Sequence, residues 1–301
     1  MKLTVIGAGT VGAGTTYNTA IRDVFDEIVL IDLDEEQAKG EALDISHAIS
    51  FFSDTEVRQG TYEDAVGSDV VAITAGKPRK EGMSRTDLLE ANIEIVDAIL
   101  GHDFADDTVF ITTTNPMDVM NYANAELSSL PRERFIGFGG WLDSARFQYV
   151  LSQYLDEPAD DIRGYVIGEH GDAQVPVFSQ VTVDGDRREI PKEDRKDLVQ
   201  QMRQSAMDVI SRKGGTQWAP TYGMSELITT VATDDRRVFP CSAVLDGEYG
   251  HSDLSIGVPV VLGSDGIETI IEWDLEPEER KAFDAAVEKL QGYCDDVDTL
   301  V

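Results

Sequence analysis

The string Val-Ile-Gly-Glu-His-Gly-Asp places a histidine, His170, where an apolar run of the chain ends. An unperturbed histidine changes its charge at about pH 6.5, so this residue type can exchange protons near neutral pH. His170 is therefore a candidate for acid–base chemistry. Taken alone, such a histidine is more often the end of a capped strand, so the interpretation depends on the residues that accompany it.

Further charged and polar residues lie at positions that suit a binding site. The string GWLDSARF has Asp143 and Arg146 three residues apart, which puts them on one face of a helix. Arg79 and Arg85 follow a predicted strand, among glycines that suit a mobile loop, and Asn115 ends the next strand. Ligands of open α/β sheets bind at such carboxyl ends. Taken singly, each arginine is more often a surface residue and Asp143 a helix-start acid.

The string VIGAGTVG contains the glycine pattern G-x-G-x-x-G, between a predicted strand and a predicted helix. Such glycines allow a tight turn and let the backbone approach a pyrophosphate at the helix N-terminus. Asp32 lies 20 residues after Gly12, where a carboxylate accepts from a ribose hydroxyl and disfavours a 2′-phosphate, so NAD is predicted. Folds that bind FAD or S-adenosylmethionine share part of this pattern. The predicted contacts along the turn are Gly7, Ala8, Gly9, Thr10, Val11 and Gly12.

The first half of the chain alternates between apolar, β-branched runs and segments of helical composition. The predicted strands are 2–6, 28–33, 69–75 and 108–114, and the predicted helices are 10–23, 35–49 and 84–101. Continuous apolar strands that alternate with helices indicate a parallel sheet covered on both faces. The fold class predicted for this half is therefore α/β, a doubly wound Rossmann sheet.

The second half has an α+β pattern. Its predicted elements are a strand at 162–167, a hairpin with an Asp-Gly turn at 180–190, a helix at 191–213, strands at 238–245 and 258–263, and a helix at 277–292. We place the boundary just after Gly139-Gly140. The prediction is an NAD-binding Rossmann domain at 1–141 and an α+β domain at 142–301.

The chain is strongly acidic along its whole length. It has 57 acidic and 25 basic residues, a formal net charge of −32. This charge argues against nucleic-acid binding, and its even spread argues against one basic protein partner. Two cysteines, no apolar run of membrane-spanning length and no export signal favour a reducing cytoplasm and no membrane. We expect a protein of a salt-loaded cell, with bound salt ions as possible partners, because salt screens self-repulsion.

Together, these strings resemble the lactate/malate dehydrogenase family, from about residue 3 to the C-terminal helix. LDSAR and GEHGD are most similar to the lactate-dehydrogenase-like malate dehydrogenases, and the acidity is typical of a halophilic type. The resemblance implies a homotetramer, commonly a dimer of dimers, with an α+β domain that binds substrate and carries out catalysis. It also implies a small 2-hydroxy acid as the substrate, NAD as the cofactor and no metal.

By matching position, the resemblance gives each residue a role. His170 is the proton acceptor in oxidation and the donor in reduction, and Asp143 holds its imidazole ring and stabilises the cation. Arg146 binds the C1 carboxylate, while Arg85 polarises the C2 carbonyl after loop closure. The other implied contacts are Asn115 and Thr216 for the substrate, and Asn92, Thr113, Thr114 and Asn115 for the cofactor.

Arg79 distinguishes between two possible substrates. In the family, malate enzymes have arginine and lactate enzymes have glutamine at the matching position. Enclosing the second carboxylate of malate or oxaloacetate without a counter-charge would cost about 3–5 kcal/mol. Arg79 therefore favours malate, with lactate as the alternative. A catalytically silent NAD-binding sensor is a third possibility, although such a protein should lack one of the four catalytic-site residues His170, Asp143, Arg85 and Arg146.

The acidic surface leads to a prediction about salt. Near molar salt the Debye length is about 3 Å, and dilution lengthens it, so repulsion between acidic surfaces returns. We expect dialysis to low salt to dissociate or unfold the oligomer, as measured by light scattering and circular dichroism. Full activity with an unchanged oligomer at low salt would contradict this expectation.

Overall fold

The computed structural model describes residues 1–77 and 85–300. Six short strands of the first half form a parallel array: β1 (Lys2–Ile6), β2 (Glu27–Ile31), β3 (Glu56–Gln59), β4 (Val70–Ile73), β5 (Val109–Thr112) and β6 (Phe135–Gly137). All but the edge strand β3 are largely apolar and buried. Their order is β3-β2-β1-β4-β5-β6. The predicted doubly wound sheet is confirmed. The strand order reverses between β1 and β4, which opens a ligand crevice at their carboxyl ends.

Helices connect these strands and cover the sheet: α1 (Thr10–Ala20), α2 (Glu35–Ile49), α3 (Tyr62–Ala65), α4 (Arg85–Leu100), α5 (Met117–Glu126) and α6 (Gly139–Leu155). The start of α2 follows from its sequence, because the side chain of Asp34 accepts from the Gln37 amide and two glutamates occupy the first turn. The predicted helices in this half agree with α1, α2 and α4. The short elements β3, α3 and β6, together with α5, are additions to the prediction.

The second half extends the same sheet with antiparallel strands. Its elements are β7 (Ile162–Arg163), β8 (Val166–Gly168), β9 (Gln174–Pro176), β10 (Thr182–Val183), β11 (Asp186–Arg187), α7 (Lys192–Lys213), α8 (Trp218–Thr233), β12 (Arg237–Asp246), β13 (Ser252–Gly263), β14 (Gly266–Ile270) and α9 (Pro277–Leu300). From β6 the sheet continues through β12, β13, β8 and β9, and β14 pairs with β13. A separate small sheet has the order β11-β10-β7. The mixture agrees with the predicted α+β pattern.

One predicted strand in this half was wrong. The segment 162–167 forms two short strands, β7 and β8, which belong to different sheets. Gly164 lies between them, and a side chain there would meet Leu151 and Phe147 at 2.7 and 3.1 Å. Glycine at this position lets the backbone pass close to helix α6, and the strand pairing changes from one sheet to the other across it.

The structure also differs from the sequence prediction in one helix and in one strand boundary of the second half. Helix α8 was not predicted, and β13 begins at Ser252, six residues before the predicted start at 258. The Asp-Gly hairpin turn has positive φ at both Asp184 and Gly185, as the predicted two-residue turn requires. The proposed domain boundary between residues 141 and 142 falls inside α6 and stays a prediction. Within the described residues, none of the helices has the length and apolarity to span a membrane.

Candidate active site

His170 lies just after β8 and contacts the first turns of α6. Its Nδ1 is 2.7 Å from Oδ2 of Asp143, a carboxylate that is almost entirely buried. Because an ionised carboxylate can only accept, Nδ1 carries the proton in this pair. Nε2 is then the nitrogen left to exchange a proton with a bound molecule, and the His170 side chain is 20% exposed.

The environment of His170 favours its charged form. Burial is the largest effect and lowers the pKa of the imidazole, but the charge and hydrogen bond of Asp143, with help from Asp118, outweigh it. Arg146 opposes them as a nearby positive charge. The net result is a pKa raised above 6.5. A raised pKa increases the fraction of histidine that carries the proton to be donated.

Arg146 completes a hydrogen-bonded chain with these two residues. Its Nη1 donates to Oδ1 of Asp143 at 3.0 Å, so Asp143 bridges Arg146 and His170 through its two oxygens. The three-residue spacing on α6 puts both side chains on one face, as the sequence predicts. The guanidinium has further N–H groups with which to bind an anion.

A cavity of about 330 Å³ brings most of the predicted substrate residues together. Asn115, Asp143, Arg146, His170 and Thr216 all line it, as does Thr113. Ala206 and Ile210 also line the cavity but were not singled out from the sequence. Both are apolar residues four positions apart on helix α7, but that helix has several other apolar residues, among them Leu198 and Met202, so the sequence alone did not single them out. The other lining residues are Val11, Met117, Phe138, Gly139, Leu142, Gly171, Gln174 and Pro220.

Two of the residues predicted to contact the cofactor, Asn92 and Thr114, hydrogen-bond to the backbone of neighbouring loops. Asn92 is fully buried, accepts from the Lys77 amide and donates to the Asn115 carbonyl, both at 2.8 Å. Thr114 donates to the Ala75 carbonyl at 2.6 Å. These bonds join the loops that follow β4 and β5. A direct contact of Asn92 with the cofactor stays a prediction.

The glycine turn fits a dinucleotide. Gly12 packs so closely on the turn that a Cβ atom there would lie 1.7 Å from the Gly7 carbonyl oxygen. Helix α1 begins directly after Gly9, and no side chain caps its N-terminus. At the end of β2, Asp32 accepts from the Ala8 amide at 2.6 Å. The bare helix N-terminus and the nearby carboxylate suit a pyrophosphate and a ribose respectively.

Asp118 is a carboxylate at the site that the sequence analysis missed. It is buried at the start of α5, and its Oδ2 accepts the backbone N–H of His170 at 2.7 Å. Its Oδ1 accepts from the hydroxyl of Ser242 on β12. In the string NPMD it stands just inside a helix start, where acidic residues are common, so its type and position gave no specific signal.

The two loop arginines cannot be placed. Arg79 lies outside the described residues, and so does the side chain of Arg85, whose backbone begins α4. Their roles stay predictions.

Comparison with known proteins supports the fold described above. Residues 1–137 match the family model described as lactate/malate dehydrogenase, NAD binding domain, and residues 141–300 match the alpha/beta C-terminal domain of the same family. Malate dehydrogenase of Natronomonas pharaonis is 48% identical over 98% of this chain and 99% of its own. L-lactate dehydrogenase of Halalkalibacterium halodurans is 35% identical, over 96% and 95% respectively. The solved malate dehydrogenase of Salinibacter ruber has a TM-score of 0.92 at 34% identity, covering 100% of this chain and 98% of that one.

The chain therefore belongs to the lactate/malate dehydrogenase family. The resemblance predicted from the sequence is confirmed, and the cofactor of this family's first domain is NAD.

The packing of Gly139 against His170 yields a prediction. A Cβ atom at Gly139 would lie 2.5 Å from Cβ and Cγ of His170. We expect Gly139→Ala to displace the imidazole and lower kcat/KM by about 100-fold, since a displacement of about 1 Å can have that effect. Gly40→Ala is the matched control, because a Cβ there meets nothing within 4 Å. Unchanged kcat/KM in Gly139→Ala would mean that the His170 loop relaxes freely.

Proposed function

We propose that the protein is an NAD-dependent malate dehydrogenase that catalyses reversible hydride transfer between (S)-malate or oxaloacetate and NAD. The observation that carries this proposal is the hydrogen-bonded chain Arg146–Asp143–His170 in a cavity that also contains Val11 of the dinucleotide turn. The chain is also more similar to the malate dehydrogenase of N. pharaonis, at 48% identity, than to the L-lactate dehydrogenase above, at 35%.

In the proposed oxidation, Nε2 of His170 accepts the proton of the substrate hydroxyl. The imidazolium that forms is stabilised by the buried carboxylate of Asp143, which also fixes the ring orientation. In reduction, the same nitrogen returns the proton to the oxygen of the C2 carbonyl. The raised pKa of His170 increases the protonated fraction of this donor at any given pH.

Substrate orientation is assigned to the polar residues around the cavity. Arg146 binds the C1 carboxylate through its outer N–H groups, while its Nη1 stays on Asp143. Asn115 and Thr216 line the same cavity and are assigned to the substrate oxygens. Arg85 is assigned to the C2 oxygen, where negative charge develops. In this assignment, closure of the segment that leads into Arg85 would exclude water.

The cofactor is assigned to the glycine turn and to the residues that follow the strands. NAD, when bound, accepts or supplies the hydride. The N-terminus of α1 and the turn from Gly7 to Gly12 hold the pyrophosphate, and Asp32 accepts from the adenosine ribose. Thr113 and Asn115, which line the cavity, are assigned to the nicotinamide side, together with Thr114 and Asn92, which bond to the neighbouring loops.

An oligomer is part of the proposal. One surface groove is lined by exposed aromatic and aliphatic side chains: Tyr149 on α6, Tyr222 on α8 and Val238 on β12. Trp141 and Phe239 line the same groove. Burial of these side chains against a second copy would remove apolar area from water. This supports a homo-oligomer, for which the tetramer implied by the resemblance is our proposal. A halophilic, cytoplasmic setting is proposed from the charge and cysteine content.

Two alternatives are tested by one assay. A lactate dehydrogenase would oxidise NADH faster with pyruvate than with oxaloacetate. A silent NAD-binding sensor would oxidise NADH with neither oxoacid. The four residues that a sensor should partly lack are all present in the sequence. Steady-state NADH oxidation at molar salt with each oxoacid therefore distinguishes the three functions.

Arg79 is expected to set the preference for the dicarboxylic substrate. Loss of a counter-charge to an enclosed carboxylate costs about 3–5 kcal/mol, which at about 1.36 kcal/mol per decade is about two to four powers of ten. We expect Arg79→Gln to lower kcat/KM for oxaloacetate by this factor and to raise the relative use of pyruvate. Lys77→Gln, an exposed neighbour, is the control for general charge loss. A wild-type preference for pyruvate would overturn the assignment of Arg79.

The raised pKa of His170 predicts opposite pH dependences for the two directions. Reduction needs the imidazolium, so kcat/KM for oxaloacetate should be level below the His170 pKa and fall tenfold per pH unit above it. Oxidation needs the neutral ring, so kcat/KM for malate should fall as the pH drops below the same pKa. Both midpoints should lie above 6.5 and shift to lower pH in Asp143→Asn, which loses the main opposing charge. Midpoints that do not move in this variant would contradict the assigned role of Asp143.

A further inference from the structure

Asp118 is an unusual residue to find behind an acid–base histidine. It is 2% exposed, and its two oxygens accept from the backbone N–H of His170 and from the hydroxyl of Ser242. These two hydrogen-bond donors are both neutral. A neutral side chain could link the same groups, so a carboxylate in a buried position is a costly choice unless its charge has a use.

The setting allows Asp118 to become charged despite its burial. Burial raises the pKa of Asp118 to about 6. The hydrogen bonds from Ser242 and from the His170 N–H lower this pKa, as does the positive charge of His170, so the rise is limited. Asp118 also lies in the first turn of α5, where the helix dipole favours an anion. The carboxylate of Asp118 is therefore largely ionised above neutral pH, so its charge is available to act on the raised pKa of His170.

We propose that Asp118 is a positioning residue for the proposed hydride transfer, which anchors the backbone of His170 and places a second negative charge beside its imidazole. This inference rests on the function proposed above for His170. Asp143 fixes the ring at Nδ1, and Asp118 fixes the peptide at the other end of the same residue. The two carboxylates come from different helices, α6 and α5. Both stabilise the imidazolium more than the neutral ring.

Other charged groups also face this site and enter the balance. Asp143 and Arg146 approach His170 from α6, with opposite effects on its pKa. Glu169 precedes His170 and is held by Lys289 of α9 at 2.5 Å and by the Ala173 amide at 3.0 Å. Glu169 raises the pKa of Asp118 as a like charge, and Cys294 of α9 lies near enough to interact with Asp118. A substitution that tests the role of Asp118 must therefore remove its charge and leave these other charged groups in place.

Asp118→Asn meets that requirement. The amide oxygen can accept from the His170 N–H, and the amide nitrogen can donate to the Ser242 oxygen, so both links survive while the charge is lost. We expect the midpoint of the His170 titration to fall by about one pH unit, the lower end of the effect of one nearby opposite charge. The measurement is the NMR pH titration of ¹³C-labelled histidine in the oligomer at molar salt, with four histidines to resolve and His170→Asn to assign the signal.

Kinetics provide a second readout. The pH midpoints of kcat/KM for oxaloacetate and for malate should both fall in Asp118→Asn by the same amount as the NMR midpoint. At a fixed pH above the midpoint, reduction should fall about tenfold, while oxidation keeps its plateau. This opposite response of the two directions is one that general damage to the fold would not produce.

Asn121→Ala is the structural control. Asn121 lies on α5 three residues after Asp118, and its amide donates to the Phe135 and Ser242 carbonyls and to the Ser255 hydroxyl. Its hydrogen bonds tie α5 to the sheet without involving His170. We expect a lower Tm and an unchanged His170 midpoint in this variant.

The outcomes separate this proposal from the proposed function. An unchanged His170 midpoint in folded Asp118→Asn overturns the charge role. If wild-type protein turns over neither oxoacid while the NMR midpoint still shifts, the proposed function fails and the electrostatic link stands. If Asp118→Asn does not fold, Ser242→Ala replaces it: loss of one donor destabilises the Asp118 anion, so a smaller fall of the midpoint supports the proposal and no fall overturns it.

Discussion

The carboxylate of Asp143 is the constraint on which the arrangement of the site depends. One oxygen is 2.7 Å from Nδ1 of His170 and the other accepts from Arg146, so a single buried anion sets the spacing between an acid–base group and an anion-binding group. Asp143 and Arg146 share a helix, whereas His170 arrives on a different segment that follows β8. The antiparallel extension of the sheet is what brings these two segments together, because β8 pairs with β13 and β13 with β12.

The parts of the site that could be predicted from the sequence are those set by local geometry. The Gly7–Gly12 turn and Asp32 follow from the order strand, turn, helix, strand, and the pairing of Asp143 with Arg146 follows from the helical repeat. Asp118 could not be found in this way, because its partners lie 52 and 124 residues away in the chain. The break at Gly164 has the same origin, since it depends on how closely α6 passes.

The site also shows how a strongly acidic protein can bind acidic molecules. The net charge of −32 opposes an approaching dicarboxylate and a dinucleotide. In the described part of the site, Arg146 and the N-terminus of α1 are positive features that act over a few ångströms, where screening by salt is weak. The buried carboxylates Asp143 and Asp118 both hydrogen-bond to His170, Asp143 at the ring and Asp118 at the backbone N–H. Fixed local charges can thus govern recognition despite the net charge of the chain.

The junction between β6 and α6 has a consequence for how such enzymes diversify. Only Phe138 separates the last parallel strand from the helix that carries Asp143 and Arg146, and Gly137 pairs with both Thr112 of β5 and Ser242 of β12. Rotation of one half against the other would break this pairing, so the spacing between the dinucleotide turn and the proton-transfer group is built into the backbone. Natural variation can then explore new oxoacids by replacing side chains around the cavity, such as Ala206 or Ile210, with the redox geometry inherited unchanged.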